Sequence, residues 1–168
     1  VALDRFTGEL IWKNPGFGER SSYNHPRLIR LPEQHLFITF SAYHLMGFDA
    51  VKGELLWSHE QENYPPEARK PGYGDTHANT VLHDQGSIYY VAGDGNGGVR
   101  LDLSEDGSEI TEKWRNRKFD NFMGGFVKLG DFLYGGTTQG RSLISVAALS
   151  DTTGGSQKAG TRGGMAGE

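Results

Sequence analysis

The stretch ALDRFTGELIW, residues 2–12, returns later in the chain as GFDAVKGELLW, residues 47–57. A longer relative, LDLSEDGSEITEKW, covers residues 101–114. The first two copies lie 45 residues apart, both from Asp4 to Asp49 and from Trp12 to Trp57. Repeats of this length are typical of propellers, in which each repeat forms one four-stranded blade. The repeat therefore predicts an all-β fold, a β-propeller of four-stranded antiparallel blades.

Each residue type that recurs in the repeat has a physical role. Apolar alternation before the aspartate predicts a strand, the glycine can take a positive φ in the turn, and the aspartate can accept hydrogen bonds from turn amides. The tryptophan begins the next strand and can cover apolar area on the neighbouring blade. We therefore expect a structural docking role for Asp4, Gly8, Trp12, Asp49, Gly53, Trp57, Asp102 and Trp114.

The pattern AxDxxTGxxxW resembles the tryptophan-docking motif of pyrroloquinoline quinone (PQQ) propeller repeats, and residues 2–12 match every specified position. Residues 113–135, KWRNRKFDNFMGGFVKLGDFLYG, are similar to a stretch of secreted bacterial propellers that are often labelled alcohol dehydrogenase-like. The resemblance extends from Val1 to about Ser150. It implies a quinoprotein alcohol dehydrogenase-like fold and a periplasmic, secreted or cell-surface location.

Alternation and turn residues predict the strands of about three blades within residues 1–150. Residues 1–14 supply two strands of one blade, and the third blade starts at Gly124. The Gly-rich tail, residues 151–168, stays unassigned. The predicted strands of the two complete blades are Pro26–Leu31, His35–Ala42, His44–Ala50 and Leu55–Gln61, then His77–His83, Ser87–Gly93, Val99–Ser104 and Ile110–Asn116. Closed propellers usually have four to eight blades, so we expect this chain to be part of a larger one.

The composition excludes several classes of function. The 168 residues carry a net charge of −4 with both signs interspersed, which argues against nucleic acid as a partner. No apolar run is long enough to span a bilayer, so no transmembrane segment is expected, and any leader would lie upstream of this segment. The absence of cysteine rules out disulfides and thiolate metal sites.

Short catalytic motifs give little support for an enzyme. Residues 93–98 have GxGxxG spacing, but the following VRLDL alternates like a strand instead of opening a helix, so a nucleotide site is not predicted. Asp94 and Asn96 lack the further ligands of a calcium loop. The six histidines form no HExxH motif, and no GxSxG elbow occurs, so no metal site and no catalytic residue are assigned.

The connections between blades contain the candidate ligand-binding residues. When the blades are aligned, His25 and His77 take equivalent positions at the expected mouth of the central channel. The full set is His25, His77, Asn24, Asp75, Asn79, Asp120 and Asn121. The alternative is that these polar side chains satisfy backbone groups where strands begin.

Two functions remain open. In the first, the segment is a non-catalytic extracytoplasmic binding or scaffold domain, which holds a small molecule or a protein partner at the channel mouth and carries no cofactor. In the second, the resemblance implies a PQQ- and calcium-dependent alcohol dehydrogenase. That activity needs a tryptophan floor under the quinone, calcium ligands and a catalytic aspartate. None of these can be mapped onto this chain, because all three tryptophans occupy docking positions.

Overall fold

The computed structural model describes residues 1–138, 140–150 and 152–158, and it confirms the predicted all-β fold. Within these residues the regular structure consists of strands and one 3₁₀ turn, Pro66–Ala68. The strands are β1 Ala2–Leu3, β2 Leu10–Trp12, β3 Arg27–Arg30, β4 His35–Phe40, β5 His44–Asp49, β6 Leu55–Glu60, β7 Leu82–Asp84, β8 Ser87–Ala92, β9 Gly97–Leu103, β10 Ile110–Asn116, β11 Phe126–Leu129, β12 Phe132–Gly136, β13 Ser142–Ala147 and β14 Thr153–Lys158.

The strands form three antiparallel four-stranded sheets and one two-stranded sheet. Strands β1 and β2 pair with each other, and β3–β6, β7–β10 and β11–β14 form blades 1, 2 and 3 in sequence order. In each blade every strand is hydrogen-bonded to its neighbour in the chain, as expected for a propeller blade.

Most predicted strand ends lie within two residues of the observed ones, and two differences are larger. Strand β7 begins at Leu82, so residues 77–81 of the predicted strand run as an irregular connection instead. Strand β14 comes from the tail that the sequence left unassigned, and it pairs with β13 from Ser142 opposite Lys158 to Val146 opposite Thr153. The tail therefore completes blade 3, while residues 159–168 lie outside the described residues.

The aspartates of the first two repeats hold their turns as predicted. One Asp4 carboxylate oxygen accepts the backbone N–H groups of Phe6 and Thr7, and Asp49 does the same for Val51 and Lys52. The turn glycines have φ values of +74° at Gly8 and +75° at Gly53, in the left-handed region that glycine tolerates best.

The third repeat builds its turn differently. Asp102 accepts hydrogen bonds from Ser87 and Arg100 within blade 2 and is not the turn acceptor. Asp106 takes that task, because its carboxylate accepts the backbone N–H and the hydroxyl of Ser108. The longer hairpin moves the turn four residues beyond Asp102. The register shift just before Trp114 also occurs before Trp12 and Trp57, so it belongs to all three repeats.

Hydrophobic cores lie between the blades and not within a single sheet. Leu36, Ile38 and Phe40 on β4 face Ile88 and Tyr90 on β8. The opposite face of blade 2 packs on blade 3 through Tyr89, Val91 and Trp114, which meet Phe126, Leu133, Ile144 and Val146. Alternate residues of one central strand thus serve two different cores, as the period of a β-strand requires.

Each tryptophan spans a junction between sheets. The indole N–H groups of Trp12, Trp57 and Trp114 donate to the backbone carbonyls of Ala50, Gly107 and Ala148, at 3.1, 3.1 and 2.9 Å. Every acceptor lies in the turn between the third and fourth strands of the next blade along the chain. The docking role of the tryptophans, including its contribution to stability, stays a prediction.

We expect Trp57→Ala to lower the free energy of unfolding by about 3–5 kcal/mol, because it removes a buried indole between blades 1 and 2 together with its hydrogen bond. Trp57→Phe keeps most of the apolar area and should cost much less. Urea denaturation of both variants measures the difference, with Val51→Ala at an exposed turn position as the control. An unchanged midpoint for Trp57→Ala would contradict the docking role.

Candidate functional site

Long connections and short hairpins meet at one end of the molecule. Strand direction alternates within each blade, so the connection that leaves each fourth strand lies at the same end as the hairpin between the second and third strands. We call this the loop end. All seven predicted ligand-binding residues lie there, on connections 13–26, 61–81 and 117–125.

The structure brings Asn79 and Asn121 together. The buried Asn79 amide donates to the backbone carbonyls of Val91 at 3.1 Å and Asn121 at 2.7 Å, and it accepts the backbone N–H of Gly125 at 2.9 Å. Asn121 in turn donates to the Gly125 carbonyl at 2.8 Å. These amides fasten the connection that enters blade 3 onto blade 2, as in the alternative in which polar side chains satisfy backbone groups.

Asp75 joins two successive connections. Its buried carboxylate forms an ion pair with Arg20, which belongs to the preceding connection, and it accepts the backbone N–H of Gly72 at 3.1 Å. Both of these contacts involve one carboxylate oxygen, and the Thr76 hydroxyl donates to the other at 3.4 Å. The geometry therefore favours a structural role for Asp75.

Asn24 and His25 differ from the other predicted residues in their environment. His25 is exposed and Asn24 is half-buried, and within the described part of the chain neither side chain has a hydrogen bond or ion pair. No contact links His25 to His77 in that part of the chain. Their joint role in one ligand site stays a prediction.

His77 is enclosed at the junction of blades 1 and 2, with only 2% of its surface exposed. Its Nε2 lies 2.9 Å from the Ala42 carbonyl oxygen and 2.8 Å from the side-chain amide nitrogen of Gln61. Burial lowers the pKa of His77, and the Ala42 carbonyl opposes this only partly. A neutral, enclosed imidazole packs between the blades and does not face a ligand in solvent.

Asp120 is buried but poorly paired. One carboxylate oxygen accepts the backbone N–H of Gly95 at 3.4 Å, a long hydrogen bond. Burial raises the pKa of Asp120, and the nearby charge of Asp94 raises it further. The side chain lines a cleft of about 370 Å³ between the 117–125 connection and blade 3, together with Arg117, Lys118, Thr137, Gly140, Ser142, Ile144 and Thr153.

Sequence reasoning missed Glu19, which holds the first connection against blade 1. Its carboxylate accepts the Ser41 hydroxyl at 2.6 Å and the Tyr43 backbone N–H at 2.9 Å, and it pairs with His44 Nδ1 at 2.8 Å. Burial favours protonation, but these contacts prevail and the pKa of Glu19 is lowered. The partners lie more than 20 residues away, so no local pattern indicates them.

A second polar network that the sequence did not reveal crosses the junction of blades 1 and 2. His59 Nδ1 lies 2.9 Å from the Tyr90 hydroxyl, and His59 Nε2 lies 2.7 Å from a Glu112 carboxylate oxygen. Arg115 donates to the same oxygen at 2.9 Å. Burial lowers the pKa of His59, while Glu112 opposes the shift, and burial also raises the pKa of Tyr90. These contacts provide hydrogen-bond partners for polar groups that are buried where the blades pack together.

Apolar side chains remain exposed at the loop end. They come from three successive connections, and Tyr23 has 77% of its surface in solvent. The set comprises Phe17, Tyr23, Tyr73 and Met123. One face of Phe17 stacks on His44 with ring centres 3.9 Å apart, which fixes the orientation of that side chain.

Two features are absent from the part of the chain that the structure describes. No group of three or more histidine, aspartate or glutamate side chains there is placed to hold a metal ion. No helix there is long and apolar enough to cross a bilayer.

Comparison with known proteins gives one family match. A family model described as outer membrane protein assembly factor BamB matches residues 1–159. No curated protein matches the chain significantly by sequence.

Solved structures show the same fold at low sequence identity. Quinohemoprotein alcohol dehydrogenase ADHIIG from Pseudomonas putida HK5 is 12% identical, with a TM-score of 0.54 over 83% of this chain and 21% of that protein. A candidate 6-phosphogluconolactonase from Bacteroides fragilis NCTC 9343 is also 12% identical, with a TM-score of 0.50 over 78% of this chain and 37% of that protein. The chain thus spans about a fifth of the first protein and just over a third of the second.

Stability should fall as the pH is lowered from about 7.5 to about 5.5. Burial lowers the pKa values of His59, His77 and His83, so the unfolded chain binds more protons than the folded one over this range. We expect His77→Gln to flatten the pH dependence of the free energy of unfolding, measured by urea denaturation at several pH values. His25→Gln, at an exposed position, is the control and should keep the parent slope. If the free energy of unfolding of His77→Gln depended on pH as steeply as that of the parent protein, the contribution assigned to His77 would be contradicted.

Proposed function

The chain belongs to the PQQ-like repeat family described as outer membrane protein assembly factor BamB, and we propose that it acts as an extracytoplasmic binding or scaffold domain whose loop end holds a partner. The domain supplies a rigid stack of blades, and its connections supply the contact surface. Loops positioned on a rigid scaffold commonly carry binding residues.

The observation that carries this proposal is the set of exposed apolar side chains at the loop end. Phe17, Tyr23, Tyr73 and Met123 come from three successive connections, while the buried polar side chains around them hold the backbone in place. Aromatic residues and methionine are enriched at protein interfaces, where they bury large areas at low entropic cost. The arrangement suits a protein partner better than a deeply enclosed small molecule.

The extracytoplasmic location is supported by the family description, which names an outer membrane assembly factor. The same description supports a scaffold in preference to a catalyst. For this chain, both the location and the partner are parts of the proposal.

The residues described here do not fit PQQ with calcium. Trp57 and Trp114 are buried between sheets, and the partly buried Trp12 contacts Phe37 and Phe48, so each indole is engaged at a blade junction. The described carboxylates also lack the clustered arrangement that a calcium site needs. The dehydrogenase alternative thus finds no residue set within the described chain, and we derive no catalytic step.

Site-specific photo-crosslinking tests the binding role. A photoreactive amino acid at Tyr23 in the cell-expressed protein should crosslink to a discrete partner in the envelope fraction. The matched control is Val51, which is also exposed but lies in a turn at the opposite end of blade 1. Equal labelling from both positions, or none from Tyr23, would contradict a partner at the loop end.

A cofactor assay tests the alternative function. We expect the purified protein, incubated with PQQ and calcium, to retain no quinone on gel filtration and to reduce no dye acceptor with primary alcohols. Quinone retained at one equivalent together with alcohol-dependent dye reduction would overturn the scaffold proposal.

A further inference from the structure

The acidic side chains at the loop end differ in how well they are paired. Glu19 has three partners within 2.9 Å, and Asp75 has an ion pair with Arg20. Asp120 is only 6% exposed, yet among the described residues its carboxylate accepts one hydrogen bond, the long one from Gly95. Its second carboxylate oxygen has no protein partner within the described residues. That oxygen is not enclosed by protein, so a ligand or water in the cleft can complete its hydrogen bonds.

The surroundings of Asp120 favour a cation as its partner. The adjacent Asp94 adds negative charge, and the fact that Asp120 has a raised pKa indicates that no protein cation compensates it. Arg117 lines the same cleft, but its guanidinium is already engaged by Glu62 at 2.8 Å and by the Gly95 carbonyl at 2.9 Å.

The opposite charge in the cleft comes from Lys118. Its exposed ammonium group has no ion pair or hydrogen bond to any described residue. The same cleft is also lined by Thr137, Ser142, Thr153 and the apolar Ile144. A cleft of about 370 Å³ is near the lower limit of ligand pockets, which favours a small molecule.

We propose that this cleft binds a small zwitterion of the α-amino acid class, with its ammonium group at the Asp120 carboxylate and its carboxylate at the Lys118 ammonium. This inference rests on the proposed binding role of the loop end and gives that role a small-molecule site beside the protein surface. The ligand's ammonium would supply the hydrogen bonds that Asp120 lacks, and charge-assisted bonds of this kind are among the stronger ones in proteins.

Calorimetric titration of the purified 168-residue protein tests the proposal with L-alanine as the probe. We expect a dissociation constant on the order of millimolar, and binding at least about tenfold weaker for acetate and for methylammonium, each of which carries one of the two charges. Affinity for L-alanine should fall when the pH is lowered far enough to protonate Asp120.

Variants locate the site. Asp120→Asn should weaken L-alanine binding about tenfold or more, and Lys118→Gln by a smaller factor because that side chain is exposed. Glu19→Gln is the matched control, an acid at the same end whose partners are all within the protein, and it should leave the affinity unchanged. If the thermal melt shows that Asp120→Asn does not fold, the affinity of the exposed Lys118→Gln variant for L-alanine is the measurement that tests the site.

The results separate this inference from the proposed function. L-alanine binding no tighter than acetate binding, or an affinity unchanged in the variants that fold, would overturn the zwitterion site. If Tyr23 still crosslinks to its partner in that case, the binding role of the loop end stands without the small-molecule site. Loss of the crosslink with intact, Asp120-dependent alanine binding would overturn the partner surface instead.

Discussion

The contact between an indole and the backbone of the next blade is the constraint on which the remaining structure depends. A four-stranded sheet with apolar residues on both faces is stable only when both faces are covered. The tryptophan N–H fixes the offset between neighbouring sheets, since it donates to one particular turn, and the facing side chains of β4 and β8 then interlock. The spacing between neighbouring blades therefore constrains the structure more than the particular residues of each blade do.

The loop end takes its shape from the same spacing. The distance between blades 1 and 2 is fixed, and the polar side chains at their junction are His77 and the His59 network. At the junction of blades 2 and 3, Asn79 and Asn121 provide the polar contacts. Nearly all buried polar groups there are used to join blades. The Asp120 carboxylate contributes less to this bracing, because the hydrogen bond that it accepts from Gly95 is long.

The sequence predicts the features that recur in every repeat, namely the strands and the tryptophans. It does not predict contacts that occur at only one junction between blades. The strands of blade 1 follow from alternation, as in HLFITF of β4, and the tryptophan positions follow from the period. Strand β14 escapes notice because TGGSQK pairs with β13 through its backbone and has few apolar side chains to signal it. His77 is predicted as a ligand residue, but its burial depends on Ala42 and Gln61, which are 35 and 16 residues away. Long-range packing of this kind leaves no mark in local composition.

The acceptor in each tryptophan contact is a backbone carbonyl, so the contact does not depend on side-chain chemistry at the acceptor. Two acceptor residues are alanines, Ala50 and Ala148, and the third is Gly107, yet all three receive an indole in the same way. Mutational drift can therefore replace most of a blade without disturbing its attachment, provided that one aromatic donor and one turn keep their places. This tolerance gives a physical reason why propellers 12% identical in sequence retain a common architecture.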